Sequence, residues 1–294
     1  MDGGRLRWFY EGPAERLPPT AFFGVSAVFH YLGPSFAVLL FPAVGVLGVA
    51  WLRIASAAFI FSTWTHPLRT WNGADREARL LLVGIGVCLA VMNSAFYLAL
   101  DRLPMSLVAS IEFVGAIAVA AAGLRTARNL GALALAVAGI VLLIDVTWSD
   151  DPAGLAWAFL NGALFVVYIV LAHRLAEKGA AGGVTGLGAA MAIAFLAVLP
   201  FGLEDVLAVL GDPVLILAGI GVGICSSVVP YICDQLAMAR LPRASYALLL
   251  SLLPASATLI GLVVLAQVPS FRDLIGIGMV MAGVAIHNPP RPAS

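Results

Sequence analysis

The chain is built of long apolar blocks separated by short polar clusters. A helix needs about 20 apolar residues to cross roughly 30 Å of hydrocarbon. Ten blocks of about that length occur, at 20–40, 42–62, 79–100, 104–123, 128–146, 153–175, 184–203, 213–238, 242–267 and 272–288. Pro42, Pro104, Pro152, Pro213 and Pro242 stand at block starts, where the first helical turn has no N–H bond to lose. The connections are short, the longest being 63–78, so no soluble domain fits between them. The pattern predicts an all-α membrane protein of ten transmembrane helices, with flanking segments at 1–19 and 289–294.

Composition agrees. Hydrophobic residues make up 62% of the chain and charged residues 11%, with mean hydropathy +1.02. Soluble domains sit near 45–50% apolar and about 25% charged, so a water-soluble fold is excluded, and so is disorder, which needs low hydrophobicity. The formal charge is zero, with 16 Lys+Arg against 16 Asp+Glu, which gives no field to draw nucleic acid. Residues 1–19 hold no cleavable apolar core, so no signal peptide is expected. Cys88, Cys225 and Cys233 all lie in apolar blocks and read as small buried hydrophobes.

Placing the charges orients the chain. With the N-terminus inside, the cytoplasmic ends collect Arg5, Arg7, Arg16, Arg69, Arg76, Arg79, Arg125, Arg128, Arg174, Lys178, Arg240, Arg243 and Arg291. The outer ends hold Arg102 and Arg272, together with Asp145, Asp150, Asp151, Glu204, Asp205 and Asp212. Basic loops stay in the cytoplasm, so both termini are expected there, in a multi-pass protein of the bacterial inner membrane.

An internal repeat sets the expected architecture. Leu98-Ala99-Leu100-Asp101-Arg102-Leu103-Pro104 returns as Leu236-Ala237-Met238-Ala239-Arg240-Leu241-Pro242. Farther on, Arg128-Asn129-Leu130 matches Arg272-Asp273-Leu274, and Ala138-Gly139 matches Ala282-Gly283. Each copy holds five blocks, an odd number, so the second must lie inverted in the bilayer. The expected repeats are 20–146 and 153–288. Inverted repeats are common in secondary transporters, which bind cargo near the midplane where the halves meet.

A charge at mid-helix costs roughly 2.5–3.5 kcal/mol on the insertion scale, which singles out Arg53 and Glu112. Both helices start on the same side, and the two residues lie at similar depth. They are therefore read either as a structural ion pair or as a site in which Glu112 meets a substrate ammonium or a proton. Asp234 sits near a helix end and could snorkel. His30 is mid-span, close to Pro34, and could bind substrate or carry protons. Asn93 and Tyr97, Trp157 and Asn161, and Tyr231 and Gln235 are each spaced to share one helix face, with Ser94, Tyr168, Ser226, Ser227, Tyr246, Ser251 and Ser256 as further polar candidates. The substrate-lining set expected is His30, Asn93, Tyr97, Glu112, Trp157, Asn161, Tyr231 and Tyr246. Interhelical hydrogen bonding is the plainer role for the amides and hydroxyls, as is interface anchoring for Trp51, Trp64 and Trp148. Pro230 and Pro254 are read as breaks in their spans. No nucleotide-binding G-x-x-x-x-G-K-[ST] loop, H-E-x-x-H or G-x-S-x-G occurs, so neither an enzyme nor a cofactor or metal is expected.

Phe96-Tyr97-Leu98-Ala99-Leu100-Asp101-Arg102-Leu103-Pro104, then Ser110-Ile111-Glu112-Phe113-Val114-Gly115, resembles the EamA-type branch of the drug/metabolite transporter superfamily. Its bacterial amino-acid exporters, of the threonine/homoserine and aromatic types, are the nearest in look. Leu241-Pro242 and Ser251-Leu252-Leu253-Pro254 match later elements of that pattern. Ala116, Leu253 and Gln267 depart from it, at a proline and two acids of the usual motifs. The resemblance implies a ten-helix inverted-repeat exporter of amino acids. Cavity aromatics and amides lean toward aromatic and other neutral cargo. A nucleotide-sugar carrier and a non-transporting scaffold or sensor subunit remain the alternatives. The expected partners are amino acids as small-molecule cargo and the bilayer, with no nucleic acid, and a monomer is the starting expectation.

Overall fold

The computed structural model describes residues 18–113, 126–147, 151–177, 183–238 and 252–286. Among these, every regular element is helical: α1 (Pro19–Val44), α2 (Val46–Thr65), a short α3 (Pro67–Gly73), α4 (Arg76–Leu100), α5 (described over 105–113), α6 (Ala127–Thr147) and α7 (Pro152–Glu177). Then follow α8 (Gly183–Val198), a short α9 (Leu203–Ala208), α10 (Pro213–Gly223), a π-helical stretch (Ile224–Val228), α11 (Val229–Met238), α12 (Leu253–Leu265) and α13 (Phe271–Ile286). α10, the π stretch and α11 run on as one rod.

Helices overlap every one of the expected apolar blocks. Thr20–Val44, Val46–Thr65, Arg76–Leu100, Pro152–Leu175 and Pro213–Asp234 are long and apolar enough to cross a membrane; Ala127–Leu143, Val184–Val198 and Leu253–Leu265 are shorter apolar helices. The outer surface carries Leu39, Phe59, Leu80, Val263 and Phe271, each more than half exposed. The interior holds Arg53, Asn93, Glu112, Asn161, Ser226 and Ser227. Apolar outside with polar groups within is the arrangement suited to lipid.

Several boundaries differ from those read along the chain. Pro42 does not open the second span; it lies inside α1 with Pro34, and the chain turns at Gly45 (φ 81°). That positive φ is where a residue without Cβ can break the helix. The expected loop at 63–78 contains α3, and the polar stretch after α8 contains α9. Pro254 sits in the first turn of α12, which begins at Leu253 inside the expected 242–267 span. The α2 start is capped from outside its own sequence, because the Gly48 N–H donates to the Asp205 carboxylate at 3.1 Å. Trp51 does not merely anchor at the interface: its indole N–H donates to the Leu199 carbonyl at 3.3 Å and its ring meets Phe195 edge-on. Trp148 lies outside the described residues.

α4 packs between α7 and α8, α2 lies against α8 and the rod, α1 against the rod and α12, and α6 against α13. The α6–α13 pair touches backbone to backbone. A Cβ at Gly139 would sit 2.6 Å from the Gly276 carbonyl oxygen, and one at Gly283 would sit 2.7 Å from that of Ala132. Two apolar clusters fill the bundle. On α2 they meet between Leu52 and Ile54, on α4 between Met92 and Phe96, and on the rod between Val222 and Val228. Arg53, Asn93, Ser226 and Ser227 occupy those junctions, so the cores are parted by a polar layer.

Candidate functional site

Arg53 is the centre of that layer. It is 7% exposed, and its guanidinium is held by groups from two other helices. Nε donates to Ser227 Oγ at 3.0 Å, and Nη2 donates to the Ser226 carbonyl at 3.4 Å. The guanidinium carbon lies 5.1 Å from the Tyr97 ring centre and 6.0 Å from that of Phe96, within range of cation–π attraction. The sequence arranges the acceptor locally. Pro230, four residues on, has no N–H to return to the Ser226 carbonyl. The π stretch that contains both serines further loosens the helical ladder, as such stretches often do at functional positions. Gly33 lets α1 come against this stretch, since a Cβ there would lie 2.6 Å from the Ser226 nitrogen.

Glu112 lies on α5 and is buried. α7 approaches it at Gly162, where a Cβ would be 3.3 Å from the Ile111 carbonyl oxygen. Asn161, one residue earlier, sets its side-chain amide at the Glu112 carboxyl. Its Nδ2 has no partner of hydrogen-bonding geometry among the described residues. The direct Arg53–Glu112 ion pair considered from the sequence does not form within 4.0 Å. The guanidinium is turned to the serines and to Tyr97 instead, and acts on Glu112 through space.

Three buried polar atoms in this region lack a hydrogen-bond partner among the described residues: Arg53 Nη1, Asn161 Nδ2 and Tyr31 Oη. Tyr31 is fully buried and within electrostatic reach of Glu112. A second group lies next to it on α1 and α11. Ser26 Oγ donates to Asp234 Oδ1 at 2.6 Å, and His30 lies within reach of both Asp234 and Arg53. Asp234 is therefore a bonded partner of α1, not a snorkelling end residue.

The expected lining residues divide accordingly. Glu112, Tyr97, His30 and Tyr231 converge on Arg53, Tyr231 by its reach to Arg53, Glu112 and Asp234, and Asn161 stands at Glu112. Tyr97 is a wall that holds the guanidinium, its hydroxyl 3.4 Å from Ser226 Oγ. Asn93 lies in the layer but donates to its own helix, at the Leu89 carbonyl, 2.7 Å away. Trp157 is half-buried and packs on the first apolar cluster. Tyr246 and Ser251 lie outside the described residues. Tyr31, Ser26 and Gly33 were not singled out. The i,i+4 pair Ser26–His30 was the signal available for Ser26, whereas nothing local marks Tyr31 among its aromatic neighbours. All three cysteines are free thiols, and among the described residues no group of three His, Cys, Asp or Glu could hold a metal.

Outside this layer, Arg102 and Asp151 pin α4 to α7 with a 3.1 Å salt bridge. The Gly154 N–H first, then Arg102, hold the Asp151 carboxyl below its ordinary range.

The EamA-like transporter family matches residues 152–288. The threonine/homoserine exporter RhtA of Escherichia coli (strain K12) is 32% identical over 254 residues, covering 85% of this chain and 84% of that one. RhtA of Salmonella typhimurium (strain SL1344) is 30% identical over 253 residues, with the same coverage of 85% and 84%. A solved crystal structure aligns over 92% of this chain and 96% of the other with a TM-score of 0.57 and 19% identity, a likeness of fold alone.

Proposed function

The chain belongs to the EamA-like transporter family, and from that premise we propose that it exports amino acids across the inner membrane by alternating access, aromatic and other neutral ones favoured. The observation that carries the cargo class is the relation to the threonine/homoserine exporters along 85% of the chain. A buried polar layer drawn from α1, α2, α4, α5, α7 and the rod, with donors that lack a partner among the described residues, supports it.

Helix pairing supports the two inverted repeats, 20–146 and 153–288. Exchange α1 with α7, α2 with α8, α4 with the rod, α5 with α12 and α6 with α13. Then α4–α7 becomes rod–α1, α4–α8 becomes rod–α2, and α2–α8 and α6–α13 map onto themselves, all of them observed pairs. The short helices follow: α3 packs on α8 as α9 packs on α2. The match extends to atoms. Ala132 corresponds to Gly276 under the offset that relates Gly139 to Gly283, and both cross-pairs are backbone contacts. A pseudo-two-fold relation between halves with an odd number of spans puts them in opposite orientation. The Lys/Arg distribution supports cytoplasmic termini.

In this reading His30, Asn93, Tyr97, Glu112, Trp157, Asn161, Tyr231 and Tyr246 line the path, and rocking of the repeats exposes the polar layer to each side in turn. The test is flux of a panel of labelled amino acids, from threonine to phenylalanine, in liposomes holding the purified protein. Movement of neutral amino acids is expected. Absence of any amino-acid flux overturns the function, and flux of a nucleotide sugar that amino acids do not inhibit replaces it.

A further inference from the structure

Resting on the amino-acid reading above, we propose that Arg53 and Glu112 are a divided clamp that reads the two charged ends of one amino acid. The α-carboxylate is taken by Arg53 Nη1 and the α-ammonium by the Glu112 carboxylate, which the Asn161 amide meets from α7. The side chain is left to the surrounding aromatic wall.

The geometry carries this in three steps. First, the opposite charges share one buried layer yet make no contact within 4.0 Å. A pair already in contact would have to be broken by cargo. A separated pair presents one free positive and one free negative face. Second, the guanidinium is fixed but not saturated. Ser227 Oγ takes Nε, the Ser226 carbonyl takes Nη2 and Tyr97 backs the plane, while Nη1 has no partner among the described residues. A planar cation pre-aimed in this way, with a donor to spare, suits a carboxylate. Third, the other buried atoms without a partner among the described residues, Asn161 Nδ2 and Tyr31 Oη, lie on the Glu112 side, on α7 and α1, where the amide N–H is a donor for a carboxylate oxygen and the phenol oxygen an acceptor for an ammonium. Native proteins seldom leave buried polar atoms unpaired, and three together call for a ligand that pairs them. A zwitterion brings two carboxylate oxygens and three ammonium hydrogens, and its charges cancel when both ends are engaged. A neutral metabolite would leave both protein charges uncompensated. A phosphate ester would set its charge against Glu112.

The helices concerned sharpen the consequence. Arg53 belongs to α2 in the first half, but its acceptors belong to the rod in the second; Glu112 in the first half meets Asn161 of α7 in the second. Each end of the cargo is thus gripped across the boundary between halves. Rocking of the halves would change both grips together, which links release to the change of access.

The experiment compares, in liposomes, competition against export of phenylalanine or threonine by two analogues of the amino acid carried. Its α-hydroxy acid lacks the ammonium, and its α-amide lacks the carboxylate. Wild type is expected to bind either analogue roughly 10- to 100-fold more weakly than the amino acid, the loss of one charge-assisted contact. In E112Q the penalty on the hydroxy acid should shrink while the penalty on the amide persists. In R53Q the reverse should hold. Competition by either analogue as strong as that of the amino acid itself in wild type overturns the clamp without any variant, so a poorly folding R53Q does not shield it. Equal weakening of all three compounds by E112Q also overturns it, because that marks Glu112 as structural. If no amino acid moves at all, it is the function that fails. If amino acids move and the analogues compete as strongly as the amino acid, only the clamp fails.

Discussion

Gly33→Ala tests the contact that places the π stretch beside Arg53. A Cβ at this position would stand 2.6 Å from the Ser226 nitrogen and 2.8 Å from its Cα, whereas non-bonded heavy atoms prefer about 3.5–4.0 Å. α1 and the rod must therefore part by about 1 Å. Overpacking of this kind costs about 1–3 kcal/mol. The helix gains about 1 kcal/mol from replacing glycine with alanine, which would blur the measurement taken alone. Gly24 removes the ambiguity: it lies on the same helix with nothing within 4 Å of its added Cβ. The propensity gain is common to both substitutions, so G33A should be less stable than G24A by about 1–3 kcal/mol. Thermal unfolding in detergent, followed by tryptophan fluorescence, reads the difference. Transport should fall as well, because Arg53 Nη2 reaches the Ser226 carbonyl at 3.4 Å, near the limit of a hydrogen bond, and a shift of that size breaks it. If G33A matches G24A in both unfolding and transport, the close approach is not what sets the site.

G139A and G283A should each destabilise by about 1–3 kcal/mol, and to a similar extent, because their contacts on the α6–α13 seam are counterparts; G278A, in open space, serves as the control. Unequal effects in thermal unfolding would count against the two-fold relation. P230A restores an N–H that competes with Arg53 for the Ser226 carbonyl, so half-saturation should rise about 5- to 10-fold, as for a lost hydrogen bond, with yield of folded protein unchanged. Unaltered half-saturation would remove Pro230 from the account. Asp151 is held below its ordinary range by Gly154 and Arg102. Its contribution is therefore complete above the unfolded carboxyl value of about 3.9 and is lost as pH falls through the lower folded value. The melting-temperature gap between wild type and D151A should be present at pH 7 and close under strong acid; a gap that persists there would contradict the assignment.

Much of the site was legible because burial of charge is costly wherever it occurs. Arg53 and Glu112 stand out in their apolar blocks without any knowledge of neighbours. What could not be read was their relation. Equal depth on two helices suggests a pair, but side-chain direction depends on what each helix faces, and Arg53 faces the rod. Ser226 and Ser227 gain their role from Pro230, four residues on, together with a helix from the opposite half. Tyr31 is one aromatic among many until packing buries it within electrostatic reach of Glu112. The Pro42 boundary failed for a similar reason. A proline is tolerated inside a long helix when the packed structure supports it, and a glycine three residues later supplies the turn.

Hydropathy and charge placement determined by themselves that this chain is a helical membrane protein, and the repeated L-A-x-x-R-L-P element set the expectation that its halves are related. Those properties come from transfer free energies and from local sequence, which act residue by residue. Only the tertiary structure decided that Arg53 and Glu112 stay apart, with donors that lack a partner among the described residues. A side chain finds its partners across the sequence, and the close approaches at Gly33, Gly162 and Gly139 set which ones come within reach.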